Sequence, residues 1–157
     1  MKRAIYSGTF DPITLGHTDI IKRACKIFDE VIVAVALSTS KKPMFSLEQR
    51  VEMAKLSTKK LSNVKVIGFD TLLVDFAKEH ESDIIIRGLR AVSDFEYELQ
   101  MGYANSSINP NLETIYLMPN LQHSFISSSI VRTLLNFGGK IEHLITPEVH
   151  RYIKEIS

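Results

Sequence analysis

Cysteine is nearly absent from this chain. Its 157 residues hold one, Cys25, so no internal disulfide can form, and a reducing, cytoplasmic compartment is expected. Cys25 reads as a small buried helix residue rather than a reactive thiol. Net charge is also nearly absent: 19 Lys and Arg face 18 Asp and Glu. The resulting +1 creates no global field to recruit nucleic acid or an acidic membrane. Any grip on phosphate must therefore come from local placement of Lys and Arg. No apolar run approaches the length of a membrane span, and the N-terminus lacks the apolar stretch of a signal peptide. Internal repeats, low-complexity segments and dividing linkers are missing too, so residues 1–157 are expected to form a single domain with one core.

What is present alternates between two hydrophobic periods. Ala4-Ile5-Tyr6 is a short apolar strand, followed by a turn-rich loop and a helical stripe of Ile20, Ile21, Ala24, Ile27 and Phe28. Val31 to Leu37 is a continuous apolar run rich in β-branched residues, suited to a strand covered on both faces. Ser46-Leu47-Glu48-Gln49 reads as a capping box, opening a helix with Leu47, Val51 and Ala54 on one face. Val64–Phe69, Ile84–Ile86 and Thr114–Met118 read as further strands. Between them, Thr71 is expected to cap a helix to about His80, and Phe95 and Leu99 to open one reaching about Ser106. Ile130, Val131, Leu134 and Leu135 mark a helix ended by Gly138-Gly139. Thr146-Pro147 starts the last, with Val149, Tyr152, Ile153 and Ile156 inward. Five strands separated by helices predict a Rossmann-like α/β fold, a five-stranded parallel sheet with helices on both faces. Ligands of such sheets bind at the carboxyl ends of the strands, where strand order reverses.

The chemistry-bearing segments each follow a strand. Thr14-Leu15-Gly16-His17 closes the first loop where the helix begins. Helix N-termini bind anions through unpaired amides and the dipole; Gly16 would permit close approach, and His17 adds an imidazole. Arg87-Gly88-Leu89-Arg90 places two guanidiniums around a glycine after a buried strand, suited to two-point binding of phosphate. Ile126-Ser127-Ser128-Ser129, with Arg132 one turn on, could cap a helix or hold another phosphate. Lys41-Lys42, taken alone, reads equally as a solvated pair. Leu73 and Met101 stand at core-like helical spacings, Glu98 on a helix is an ordinary solvated residue, and Asn105 could simply end its helix.

Taken together, Tyr6–His17, Ser40–Phe45, Ile86–Arg90, Asp94–Glu98, Leu117-Met118-Pro119 and Ser124–Ser129 resemble the bacterial phosphopantetheine adenylyltransferases of the nucleotidylyltransferase superfamily, over essentially the whole chain. The resemblance implies transfer of the adenylyl group of ATP to 4′-phosphopantetheine by direct in-line attack, with Mg²⁺, giving dephospho-coenzyme A and pyrophosphate. By the same resemblance His17, Lys41 and Arg90 are the catalytic residues. Thr9, Lys41, Leu73, Arg87, Met101 and Asn105 would bind the acceptor. Thr9, Phe10, His17, Gly88, Leu89, Arg90, Glu98 and the run His123, Ser124, Phe125, Ile126, Ser127, Ser128 and Ser129 would bind ATP. No cluster has metal-ligand spacing, so Mg²⁺ is expected to arrive with ATP, with Asp11 touching it at most through water. A homohexamer, a dimer of trimers, is implied as well. The sequence departs from the family at Ser7 (commonly proline), which implies a looser loop, at Leu15 (commonly asparagine), and at His123 (tryptophan in some members).

Three other readings stay open on sequence. A sister nucleotidylyltransferase could act on nicotinamide mononucleotide or a polyol phosphate, against which the Arg87–Glu98 block argues. A nucleotide-sensing module could have lost catalysis, against which His17, Lys41 and Arg90 argue. A synthetase fragment would carry a Lys-Met-Ser-Lys-Ser-type loop, and none is found.

Overall fold

The computed structural model describes residues 1–38, 42–90 and 92–157. Its strands are β1 (Arg3–Gly8), β2 (Glu30–Ala36), β3 (Val64–Phe69), β4 (Ile84–Gly88) and β5 (Glu113–Leu117). They lie parallel in the order β3-β2-β1-β4-β5. The intervening helices are α1 (Leu15–Ile27), α2 (Leu47–Thr58), α3 (Leu73–Glu79), α4 (Val92–Ile108), α5 (Ser128–Asn136) and α6 (Pro147–Ile156). This is the Rossmann-like α/β architecture that the alternating periods predict. Strand order reverses between β1 and β4, and the crevice beyond their carboxyl ends is where such sheets take ligands.

Alternation along the strands divides the core in two. Ala4, Tyr6, Val31, Val33, Val35 and Ile86 face α1, α2, α5 and α6. Ile5, Ile32, Ala34 and Ile85 face the α3 side, with Val74, Phe76 and Ala77. Helix α4 packs on α3 and β5. The capping signals at Ser46 and Thr146 are both used, and Gly138 ends α5 with φ +70°, a backbone that costs glycine little. Among the described residues no helix is long and apolar enough to cross a membrane.

Several local expectations are corrected. The α1 stripe centres on Ile20, Ile21, Ala24 and Phe28, so Ile27 lies at its margin and is 59% exposed. Ile156, in the last turn of α6, overhangs the core and is exposed. Thr71 does not cap α3: its hydroxyl donates to the Leu72 carbonyl, and Leu72 holds the cap position without a side-chain bond. Helix α4 begins at Val92 and runs beyond Ser106 to Ile108. Ser7 loosens nothing, because it sits buried within β1 in register with Ala34. Leu15, the other departure in that segment, packs on the core while its amide donates to the Leu144 carbonyl.

Candidate active site

Two clefts open at the carboxyl rim. The first, about 380 Å³, is lined by the β1–α1 loop, the end of β4 and the start of α5, including His17, Arg87, Gly88, Arg90, Ile126 and Ser128. The second, about 330 Å³, lies on the α3–α4 side and is lined by Leu73, Met101, Asn105, Phe69, Tyr97 and Tyr116 among others. Ser7, Gly8, Thr9, Arg87 and Glu98 line both clefts and form the ridge between them. Convergence of separate rim loops on one site is therefore realised. Lys41 lies outside the described residues.

His17 is held from three sides. The Thr14 amide donates to His17 Nδ1 at 3.0 Å, and the His17 amide returns a bond to Thr14 Oγ1 at 3.4 Å. This is a capping box in which an imidazole replaces the usual Glu or Gln. A backbone amide only donates, so Nδ1 carries the lone pair and Nε2 the proton. The Phe10 ring meets the imidazole edge-to-face at 4.9 Å. Burial, and then the Arg90 and Arg87 guanidiniums, hold the His17 pKa down to about 3. His17 is thus a neutral, fixed N–H donor at the wall of the first cleft. Phe10 itself adopts φ 50°, a left-handed backbone rare outside glycine, and is 3% exposed. Its ring supports His17 more than it offers surface to a ligand.

The two helix N-termini contribute unequally. At α1, Leu15, His17 and Thr18 amides are taken by Leu144 O, Thr14 Oγ1 and Thr14 O, leaving the Gly16 amide open among the first-turn donors. A methyl on Gly16 would lie 3.6 Å from the Ile126 carbonyl and 3.7 Å from that of His123, so the loop after β5 runs directly over it. At α5, Ser127 caps Ile130, and the Ser128 and Ser129 amides have no protein partner among the described residues. The serines divide their work. Ser128 Oγ donates to the Pro12 carbonyl at 2.8 Å, while Ser129 Oγ accepts from Arg132. Arg132 also donates to the Asp11 carbonyl, and Arg90 Nη1 to the Ile126 carbonyl at 2.7 Å. Cationic groups and loop backbones are therefore locked together around the first cleft.

Arg87 and Glu98 form a two-point ion pair, with contacts of 2.7–3.2 Å, on the ridge between the clefts. Arg87 Nη1 also donates to the Ser7 carbonyl at 2.6 Å and lies 3.3 Å from its hydroxyl. Burial would lower the Arg87 pKa, but Glu98 outweighs it and raises it. The Tyr6 hydroxyl beneath is pushed up by burial and remains protonated. Glu98, read from sequence as a candidate ATP contact, thus meets the expected acceptor ligand Arg87 directly.

The remaining predicted residues separate. Leu73, Met101 and Asn105 come together in the second cleft, though sequence spacing alone makes the first two look like core. Ile126 and Ser128 reach the first cleft, whereas His123, Ser124, Phe125, Ser127 and Ser129 do not line it. Phe125 is 59% exposed, and Ser124 Oγ is turned to the Leu121 carbonyl. His123 Nδ1 is buried without a protein partner. Leu89 lines neither cleft; its amide joins the Leu117 carbonyl. Sequence reading missed Arg50. It is 1% exposed and donates to the carbonyls of Phe45, Thr9 and Ala36. A charged residue three and four positions from Leu47 and Ala54, on their apolar face, was the available signal.

Among the described residues no group of three or more His, Cys, Asp or Glu lies together to hold a metal. The Asp11 carboxylate is already engaged, accepting from the Met44 and Phe45 amides at 2.9 and 3.0 Å.

Residues 5–134 match the family model described as cytidylyltransferase-like. A phosphopantetheine adenylyltransferase from Wolinella succinogenes is 62% identical over 154 residues, covering 98% of this chain and 96% of that protein. The enzyme of the same name from Nautilia profundicola is 63% identical over 147 residues, 94% of this chain and 96% of that protein. One from Helicobacter hepaticus is 62% identical over 150 residues, 96% and 91% of the two chains. A solved Vibrio parahaemolyticus protein, provisionally assigned as a nicotinate-nucleotide adenylyltransferase, superposes with TM-score 0.75 at 21% identity, covering 99% of this chain and 93% of that one. That likeness speaks for the fold alone. The chain belongs to the cytidylyltransferase-like family and, within it, to the phosphopantetheine adenylyltransferases.

Proposed function

We propose that residues 1–157 act as one cytoplasmic nucleotidylyltransferase domain that transfers the adenylyl group of ATP to 4′-phosphopantetheine, giving dephospho-coenzyme A and pyrophosphate. The observation that carries this reading is the ridge: two clefts of similar size meet at Thr9, Arg87 and Glu98. In the proposal the triphosphate lies in the first cleft, against His17, the Gly16 amide, Arg90 and the open amides of α5. The acceptor's apolar arm lies along Leu73 and Met101 in the second, with Asn105 meeting its amides and its phosphate on the ridge. Phosphate oxygen and α-phosphorus would then approach in line across Thr9, with no covalent enzyme intermediate. Such transfer asks a protein for placement and for donors aimed where negative charge builds. His17 Nε2–H, pre-set by Thr14, suits an equatorial oxygen of the α-phosphate. Lys41 would join Arg87 at the acceptor phosphate, Arg87 by exchanging part of its bond to Glu98 for the ligand. Mg²⁺ bound to ATP would neutralise phosphate charge.

We also propose the homohexamer. Helix α4 and the segment beyond β5 leave Tyr97, Tyr103, Ile108 and Met118 between 58% and 74% exposed. Apolar surface of that extent suits burial against other copies. A pyrophosphate-release assay with ATP and Mg²⁺ tests the function. Turnover with 4′-phosphopantetheine and none with nicotinate or nicotinamide mononucleotide is expected; the reverse preference would overturn it.

A further inference from the structure

Among the described residues Arg50 is the largest fully buried side chain, and no carboxylate lies within ion-pair distance of it. A buried cation is costly unless its donors are matched. Here backbone oxygens match them: Nε donates to Phe45 O at 3.0 Å, and Nη1 to Thr9 O at 2.9 Å and to Ala36 O at 2.6 Å. These carbonyls come from three different rim segments: the loop after β1, the last residue of β2, and the approach to α2. Asp11 completes the arrangement by accepting the Met44 and Phe45 amides. Its negative charge also opposes the fall in Arg50 pKa that burial causes.

Thr9 lines both clefts, and Ala36 lines the second. From this geometry we infer that Arg50 is a positioning residue: it sets, from beneath, the height of Thr9 on the ridge and the wall that Ala36 gives the second cleft. The inference rests on the reading of the second cleft as the acceptor's. A planar guanidinium can address three fixed carbonyls at once, whereas an ammonium is a single point. Lys in place of Arg therefore keeps the charge and loosens the geometry. The consequence falls mainly on the acceptor, because two of the three clamped segments bound its cleft and one bounds the other.

The test uses Arg50→Lys and Arg50→Gln in the full chain, with two readouts. In steady-state kinetics, normalised to folded protein, Arg50→Lys is expected to raise KM for 4′-phosphopantetheine and lower kcat by about tenfold or more, with KM for ATP changed by less than about threefold. In amide hydrogen exchange, Met44 and Phe45 are expected to exchange faster, while Val149 in α6 keeps its wild-type rate. Wild-type exchange at Met44 and Phe45, or kinetic constants within about twofold of wild type, would overturn the inference. Failure of both variants to fold would assign Arg50 to folding alone and overturn it too. If the wild-type chain itself does not turn over 4′-phosphopantetheine, the proposed acceptor falls, and exchange at Met44 and Phe45 still decides for or against Arg50.

Discussion

The Thr14 amide donates to His17 Nδ1 across 3.0 Å, and that one bond fixes what His17 can do. It leaves the ring's only proton on Nε2, and it makes protonation of Nδ1 incompatible with the α1 cap. Removing a pre-set donor of this kind costs on the order of a hundredfold to a thousandfold in rate. His17→Ala is therefore expected to lower kcat by that order and leave KM for ATP nearly unchanged, as steady-state kinetics would read it. Unchanged kcat would remove His17 from the reaction.

Burial of the same ring, with Arg90 and Arg87 beside it, gives a pH prediction. The folded His17 pKa is lowered from 6.5 to about 3, so between those values the unfolded chain binds the proton that the folded chain refuses. Stability contributed at His17 is complete above pH 6.5 and is lost as pH falls towards 3. Nitrogen chemical shifts of the imidazole should report the neutral Nε2–H tautomer from pH 8 down to about 4. An imidazolium signal from His17 at pH 6 would contradict this.

Arg87 and Glu98 hold each other on the ridge, with Arg87 29% and Glu98 9% exposed in their side chains. Arg87→Ala strands a nearly buried carboxylate. The loss of stability is expected to stay below the roughly 3–5 kcal/mol typical of a fully buried pair, because Arg87 is partly open to the cleft. KM for 4′-phosphopantetheine should rise far more than KM for ATP. Equal rises for both substrates would remove Arg87 from the acceptor phosphate.

A methyl added at Gly88 would stand 2.6 Å from Ile20 Cδ1. Gly88→Ala is expected to destabilise by about 1–3 kcal/mol, since Ile20 must turn within a packed core. Ile20→Val removes the offending atom, so the double variant should regain part of the loss. A double-mutant cycle by thermal unfolding checks it; additive losses would contradict the contact.

The assembly is tested by light scattering. Hexamer mass at micromolar concentration is expected, and a monomer would contradict it.

The sheet was legible because its signals are local. Val31–Val35 is rich in β-branched residues and buried on both faces, and Ser46-x-x-Gln49 and Thr146-Pro147 mark helix starts within a few residues. The rim loops followed, since each motif lies at a strand's end or in the segment that leads from it to the next helix. Harder to read were contacts that depend on depth and direction. Ser127, Ser128 and Ser129 are adjacent in sequence, yet one caps a helix, one ties to Pro12 and one meets Arg132. The pattern at Thr14-x-x-His17 was hidden because an imidazole plays the part usual for a carboxylate or amide. Arg50 was harder for a different reason: its place on the apolar face of α2 signals burial, but its partners are carbonyls from distant segments, which the residue types around it do not name.

The central claim is that triphosphate and acceptor phosphate meet across Thr9 and Arg87. A crystal structure with 4′-phosphopantetheine and a non-hydrolysable ATP analogue tests it most directly. The account predicts the α-phosphate beside His17 Nε2 and the acceptor phosphate at Arg87, with the arm along Leu73 and Met101. Both ligands in one cleft, or a triphosphate bound away from His17, would contradict it.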